Sequence, residues 1–284
     1  MPASAAGSPP RPRALDRAAL GLVGVIAALG WVALVAMVIG MPAEGLAALG
    51  PGMDVFGALD LPPSVAAGLA TLCAPLGGAA GLLSPAGFAL AFLMWMAMSA
   101  AMMLPSAAPV LAIRGHGPGE AGARILGYLG VWFAFSLLAT AVQAGLVAAG
   151  QLSSALAPAG VGLAGLALVA AGLYQFTPLK TACLIRCRFP PVFAPRTTGR
   201  VGAAFRDGLG RGMDCLGCCW VMMAAMLALG TMNLVWMAVL GVLAALEKLT
   251  TGRVVPTLIG LALTVLGAAL LMVSPFGAAL LAGV

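Results

Sequence analysis

The chain has 284 residues, 62% of them hydrophobic and 8% charged, with a mean hydropathy of +1.11. Soluble domains carry roughly 25% charged residues, so this chain has too few charges to cover a soluble surface. That excludes a soluble enzyme, a nucleic-acid binder, a disordered tail and a secreted disulfide scaffold, and it predicts an all-α, polytopic transmembrane helix bundle in a lipid bilayer. The net charge of +6 does not restore nucleic acid as a partner, because the charges sit between apolar segments. The 39 glycines and 20 prolines suit closely packed, interrupted membrane helices.

A span needs about 20 apolar residues. Candidates fall at 18–40, 86–113, 122–149, 160–178, 214–230, 232–247 and 254–274. The fifth and sixth form one apolar stretch from Cys215 to Leu246, interrupted at Gly230-Thr231-Met232-Asn233. As one helix it would reach about 48 Å, too long for a core of about 30 Å without strong tilt. A hairpin turning at Asn233 is therefore preferred, giving about seven spans, or six if 214–247 is one span.

Charge placement supports the hairpin. With the N-terminus inside, residues 1–17 form a basic cytoplasmic tail containing Arg11, Arg13 and Arg17. The 41–85 loop carries Glu44, Asp54 and Asp60 without Lys or Arg, faces out, and reads as a partly helical surface segment. Arg114 and Arg124 fall inside, as do Lys180, Arg186, Arg188, Arg196, Arg200, Arg206 and Arg211 in or beside the long inner loop 179–213. The hairpin also places Lys248 and Arg253 inside, so all 14 Lys and Arg lie on one side. Residues 18–284 then make a single integral membrane domain. Arg11-Pro12-Arg13 before an apolar run resembles a signal peptide, but the run is long for one and no clean cleavage site follows, so it reads as an uncleaved anchor. No internal repeat indicates an inverted-repeat transporter.

The cysteines carry the most information. Cys73 stands alone in the outer loop and reads as a buried apolar side chain. Cys183 and Cys187, then Cys215, Cys218 and Cys219, lie at the two ends of the inner loop, which the topology brings to one membrane face. Thiolates are soft ligands for Cu(I), Zn(II) or an iron–sulfur cluster. Asp214 reads as the N-cap of the fifth helix, which would put Cys215, Cys218 and Cys219 on one face of its first turns. Cys183 and Cys187 share a face if their stretch is helical, and Pro190-Pro191 ends it. Disulfides are disfavoured on a reducing face, although a redox dithiol at Cys215/Cys218 remains an alternative.

Methionines add thioether ligands, which with thiolates favour Cu(I) over Zn(II). Met94, Met98 and Met102 are spaced by four, with Met96 and Met103 nearby. Cys215, Cys219, Met222 and Met226 make one stripe running about 16 Å along the fifth helix. Met98, Met102, Met103, Met222, Met223 and Met226 are the candidate secondary ligands; the competing reading is ordinary packing. His116, the only histidine, reads as a loop residue. Glu247-Lys248 reads as an interface or helix–helix pair at a helix end, and a buried Glu247 would be placed to carry protons.

Several motifs follow in order: Trp95-x₂-Met98-x₂-Ala101-Met102-Met103-Leu104-Pro105, Tyr174-Gln175-x₂-Pro178-Leu179-Lys180-x₂-Cys183-Leu184-x₂-Cys187-Arg188-x-Pro190, Cys215-x-Gly217-Cys218-Cys219-Trp220, and Gly230-x-Met232-Asn233 with Glu247-Lys248. Over roughly residues 86–250 the chain resembles a bacterial family of unknown function labelled "predicted metal-binding integral membrane protein". The resemblance implies an inner-membrane location and a metal site on the motif cysteines.

No phosphate-binding loop, aspartyl-phosphate signature, Ser/His/Asp set or His-rich protease motif is present, and the Gly115 and Gly208 glycine runs lack the strand context of a dinucleotide site. Nothing here specifies catalysis. The leading expectation is a membrane protein that binds Cu(I) or Zn(II) at the inner cysteines, handles or transports it, and exchanges it with a metal-donor or metal-acceptor protein. The alternatives are a thiol–disulfide oxidoreductase in which Cys215/Cys218 exchange with Cys183/Cys187, and a scaffold with a structural zinc knot.

Overall fold

The computed structural model describes residues 16–39, 43–50, 52–58, 79–112, 119–152, 160–189 and 201–275. Cys73 and His116 lie outside the described residues, as do Arg11, Arg13, Asp60, Arg114, Arg196 and Arg200. The helices are α1 (Arg17–Ile39), α2 (Ala43–Ala48), α3 (Ala79–Leu82), α4 (Pro85–Leu111), α5 (Glu120–Ala148), α6 (Val161–Tyr174), α7 (Pro178–Arg188), α8 (Val201–Leu229), α9 (Leu234–Leu249) and α10 (Val254–Val273). A short 3₁₀ turn covers Met53–Ala58, so the described part of the 41–85 loop is largely helical. Among the described residues there is no strand, and the all-α expectation holds.

Among the described residues five helices, α1, α4, α5, α8 and α10, are each long and apolar enough to cross a membrane, and the bent pair α6–α7 reaches that length and apolarity only when its two helices are taken together. Their outer faces are apolar: Leu22, Leu29 and Val32 on α1, Phe133 and Leu138 on α5, and Leu258 and Val265 on α10 are all exposed. Polar side chains point inward instead, including Ser136, Thr140, Gln143, Lys180, Asn233 and Glu247. This inside-out distribution suits a hydrocarbon solvent, where polar groups find partners only within the bundle.

Glycines set the closest helix contacts. On α8, a Cβ at Gly208 would collide with the Arg124 carbonyl of α5, and one at Gly212 would fall 2.8 Å from the Val131 side chain. Facing them, a Cβ at Gly127 would collide with the Phe205 carbonyl. Small residues spaced by four let the two backbones touch, as in close membrane helix pairs. α6 and α10 meet the same way at Gly165 and Gly172 against Gly267 and Gly260.

Two expectations need correction. Asp214 does not cap a helix: α8 begins at Val201 and runs unbroken through the cysteines to Leu229. The glycine contacts with α5 hold this stretch helical against its local preference, and Asp214 instead pairs with Arg186 at 2.8 Å. The 160–178 span breaks after Tyr174 and turns by 66° into α7. Thr177 caps α7, accepting from the Lys180 amide, and Pro178 occupies its first turn, which stops the preceding helix. Much of the 179–213 loop is therefore helical. α9 has 16 residues, and among the described residues five helices, or six counting the bent pair as one span, are long and apolar enough to cross a membrane. The break before α9 is where expected: Gly230 turns at φ +101°, and the Asn233 side chain caps α9 by accepting from the Trp236 amide at 3.0 Å.

Candidate metal centre

Two helices bring the cysteines together. α7 presents Cys183 and Cys187 one turn apart, and α8 presents Cys215, Cys218 and Cys219. A glycine makes the approach possible: a Cβ at Gly217 would lie 2.5 Å from the Cys183 sulfur. Polar bonds fix the register. Tyr174, at the end of α6, donates to the Gly217 carbonyl and meets Trp220 edge-on at 5.6 Å. Lys180, on α7 and fully buried, donates to the Cys218 carbonyl and pairs with Glu247 Oε2 at 2.6 Å. Arg188 donates to the Glu247 carbonyl at 2.8 Å and to the Gly252 carbonyl at 2.9 Å, tying α7 to the end of α9. Glu247 thus joins two helices, as the pair reading of Glu247-Lys248 expects.

Four sulfurs converge. Cys187 Sγ lies 3.8 Å from Cys218 Sγ, and Cys218 Sγ lies 3.2 Å from Cys219 Sγ. Cys215 interacts with the side chains of Cys187, Cys218 and Cys219. Cys215, Cys218 and Cys219 are at most 2% exposed. Cys183 sits to one side, its sulfur against Gly217 and 3.8 Å from an Arg186 nitrogen. All five are free thiols. Among the described residues, no group of three or more His, Cys, Asp or Glu is arranged to hold a metal ion. The thiols lie against one another and against hydrogen-bond partners, not around a common ion-sized centre.

Those partners were not legible as site residues. Tyr128 Oη lies 3.0 Å from Cys215 Sγ, and Lys248 Nζ lies 3.2 Å from the same atom. Lys248 also donates to Ser106 Oγ at 2.9 Å and approaches Met103 Sδ at 3.6 Å. A small cavity of about 20 Å³ opens here, lined in part by Ser106, Tyr128, Cys187, Cys215 and Lys248. It has room for roughly one water molecule or one ion. Its lining mixes two thiols, with a thioether close by, with the oxygen donors of Ser106, Tyr128 and Asp214 and the cations Arg186, Arg211 and Lys248; the thiols are the part suited to a soft metal.

The candidate methionines are all buried. Met98, Met102, Met103, Met222, Met223 and Met226 are each at most 4% exposed. Met222 continues the cysteine stripe of α8, and its sulfur accepts from Gln175 Nε2 at 3.2 Å. Among them, Met103 reaches the Lys248 cluster directly.

Comparison with known proteins narrows the chemistry. No curated protein and no solved structure matches the chain. A family model does: residues 92–270, more than half of the chain, match the PpoB2 family, described as a copper chaperone. The matched region holds every cysteine of the cluster and the residues around it. It supports a copper-related role for the chain, which belongs to the copper chaperone family.

Proposed function

We propose that this protein is a membrane-embedded chaperone that holds Cu(I) on the buried cysteines of α7 and α8 and hands it to a copper-requiring partner. The observation that carries the reading is the convergence of Cys187, half-buried, with the buried Cys215, Cys218 and Cys219 from two helices into one cluster. Copper is the cargo. Two or three of these thiols, deprotonated, bind it, with Cys183 one turn away as a further ligand. Met222, Met223 and Met226 extend soft ligands from the cluster along α8, and Met98, Met102 and Met103 do so on α4. Zn(II) is the competing cargo, and the thioether contact favours Cu(I).

The protein lies in the bacterial inner membrane with the thiol cluster toward the cytoplasm. Helix ends support this arrangement. At the expected inner face, the Asp16 amide donates to the Ala112 carbonyl at 2.7 Å and Arg124 pairs with Asp207 at 2.9 Å. At the expected outer face, Asn233 Nδ2 donates to the Leu49 carbonyl at 3.1 Å. Short α9 completes the path as a tilted or shallow span, which leaves every Lys and Arg inside.

A second reading has one observation in its favour. Cys187 and Cys218 sulfurs, 3.8 Å apart on different helices, could join in a disulfide, as a thiol–disulfide exchanger requires. X-ray absorption at the copper edge of Cu(I)-loaded protein separates the two. Sulfur-only ligation of Cu(I) is expected. Ligation by nitrogen or oxygen alone, or reduction-dependent cycling of a disulfide with no copper held, would refute the chaperone reading.

A further inference from the structure

The cavity beside Cys187 and Cys215 is lined by three cations, Arg186, Arg211 and Lys248, and one carboxylate, Asp214. Pairing does not cancel this charge. Asp214 is engaged by Arg186 at 2.8 Å. Asp207 serves two guanidiniums, Arg211 at 2.8 Å and Arg124 at 2.9 Å. Lys248 meets a thiol, a thioether and a hydroxyl, and no carboxylate among the described residues. The lining itself therefore carries two more cations than carboxylates beside the thiols. Arg211 Nη1 is also buried without a hydrogen-bond partner. Arg186, its side chain 53% exposed, stands at the mouth.

Such a mouth offers a bare Cu⁺ ion no attraction. It draws in anions, because like-charged linings focus the field in a cleft with low-dielectric walls. Cu(I) held by two thiolates carries a net negative charge. Arginine, with its planar fork of donors, also suits carboxylate recognition.

We propose that copper reaches the site as an anionic Cu(I)–bis-thiolate complex of a small carboxylate-bearing thiol, with Arg186 and Arg211 receiving the carrier's anionic groups. This rests on the copper-handling reading above and names the form of its substrate. Transfer is ligand exchange. Two bonds from copper to carrier sulfur break, and two form to Cys187 and Cys215. The two thiol protons of these cysteines pass to the leaving carrier thiolates. Copper stays Cu(I), no electron moves, and the net charge of the copper–sulfur unit is unchanged. Lys248, beside Cys215, then faces the anionic copper–thiolate unit it has to neutralise.

The test is timed loading of the full chain in neutral detergent, with copper analysis after rapid desalting. One donor is the anionic Cu(I)–glutathione complex, the other the cationic Cu(I)–acetonitrile complex. Wild-type loading from glutathione should slow as sodium chloride rises. The Arg186→Glu variant, and separately Arg211→Gln, should slow it by about tenfold or more while final copper content is kept. Both leave Arg124 on Asp207, which protects the fold. Loading from the acetonitrile complex should be unchanged or faster in Arg186→Glu. A glutathione rate insensitive to salt and to both substitutions, with copper still bound at the end, would overturn the proposal and leave the copper site standing. Copper taken from neither donor would overturn the chaperone reading and this inference together.

Discussion

The ammonium of Lys248 lies 3.2 Å from the Cys215 sulfur, in a bundle whose long helices turn large apolar side chains outward. A cation half-buried among membrane helices is costly unless an anion or a functional demand keeps it there. Here its other contacts, Ser106 and Met103, carry no charge. The negative charge it is placed to balance is therefore on sulfur, in the copper–thiolate unit.

Removing that charge should weaken copper binding. We expect Lys248→Met to raise the Kd for Cu(I) by about tenfold, equivalent to ~1.4 kcal/mol. Competition against a chromophoric Cu(I) chelator measures it, with circular dichroism to confirm the helical fold. Unchanged or tighter binding would mean that Lys248 only blocks the site.

The buried pair Lys180–Glu247 makes a different expectation. Both side chains are at most 1% exposed, and Glu247 Oε1 has no hydrogen-bond partner. Lys180→Met alone leaves a carboxylate stranded and should destabilise the protein by about 3–5 kcal/mol. The double variant Lys180→Met, Glu247→Met should recover most of that loss. Thermal unfolding in detergent compares the two. A double variant no better than the single would show that Lys180 acts mainly through the Cys218 carbonyl.

Glycines on α8 should divide sharply. Gly208→Ala drives a Cβ into the Arg124 carbonyl, so α5 and α8 must separate and Tyr128 must leave Cys215. We expect a marked loss of thermal stability and of copper binding together. Gly210→Ala, two residues away, meets nothing within 4 Å and should stabilise the helix by about 0.5–1 kcal/mol. Equal effects at the two positions would contradict the close helix contact.

Much of this was readable in the chain, for physical reasons. Apolar runs of span length name the helices because the bilayer fixes their length. The break at Gly230–Asn233 was visible because a cap residue and a glycine interrupt the apolar stretch together. The cysteines were conspicuous by their grouping. The start of α8 was not readable: Gly208, Gly210 and Gly212 signal a loop locally, and only their fit against α5 makes them helix interior. Tyr128, Ser106 and Lys248 were also hidden as site residues. They come from three helices, and only tertiary packing sets them around Cys215. For Lys248 the signal available was its place in the Glu247-Lys248 pair at the end of an apolar stretch.

The methionines separate cargo handling from a static metal knot. Met222→Leu with Met226→Leu keeps the buried volume and should leave the fold and the bound copper nearly unchanged. Release of that copper to an external thiol acceptor should slow severalfold. Release at the wild-type rate would reduce these side chains to packing.

The most direct test of the copper site is the metal content of the purified protein by mass spectrometry. The protein would be prepared under reducing conditions with copper and zinc supplied. Wild type would be compared with a variant carrying serine in place of Cys183, Cys187, Cys215, Cys218 and Cys219. We expect near-stoichiometric copper in the wild type, lost in a variant that keeps its helical spectrum. Equal, negligible copper in both would contradict the site outright.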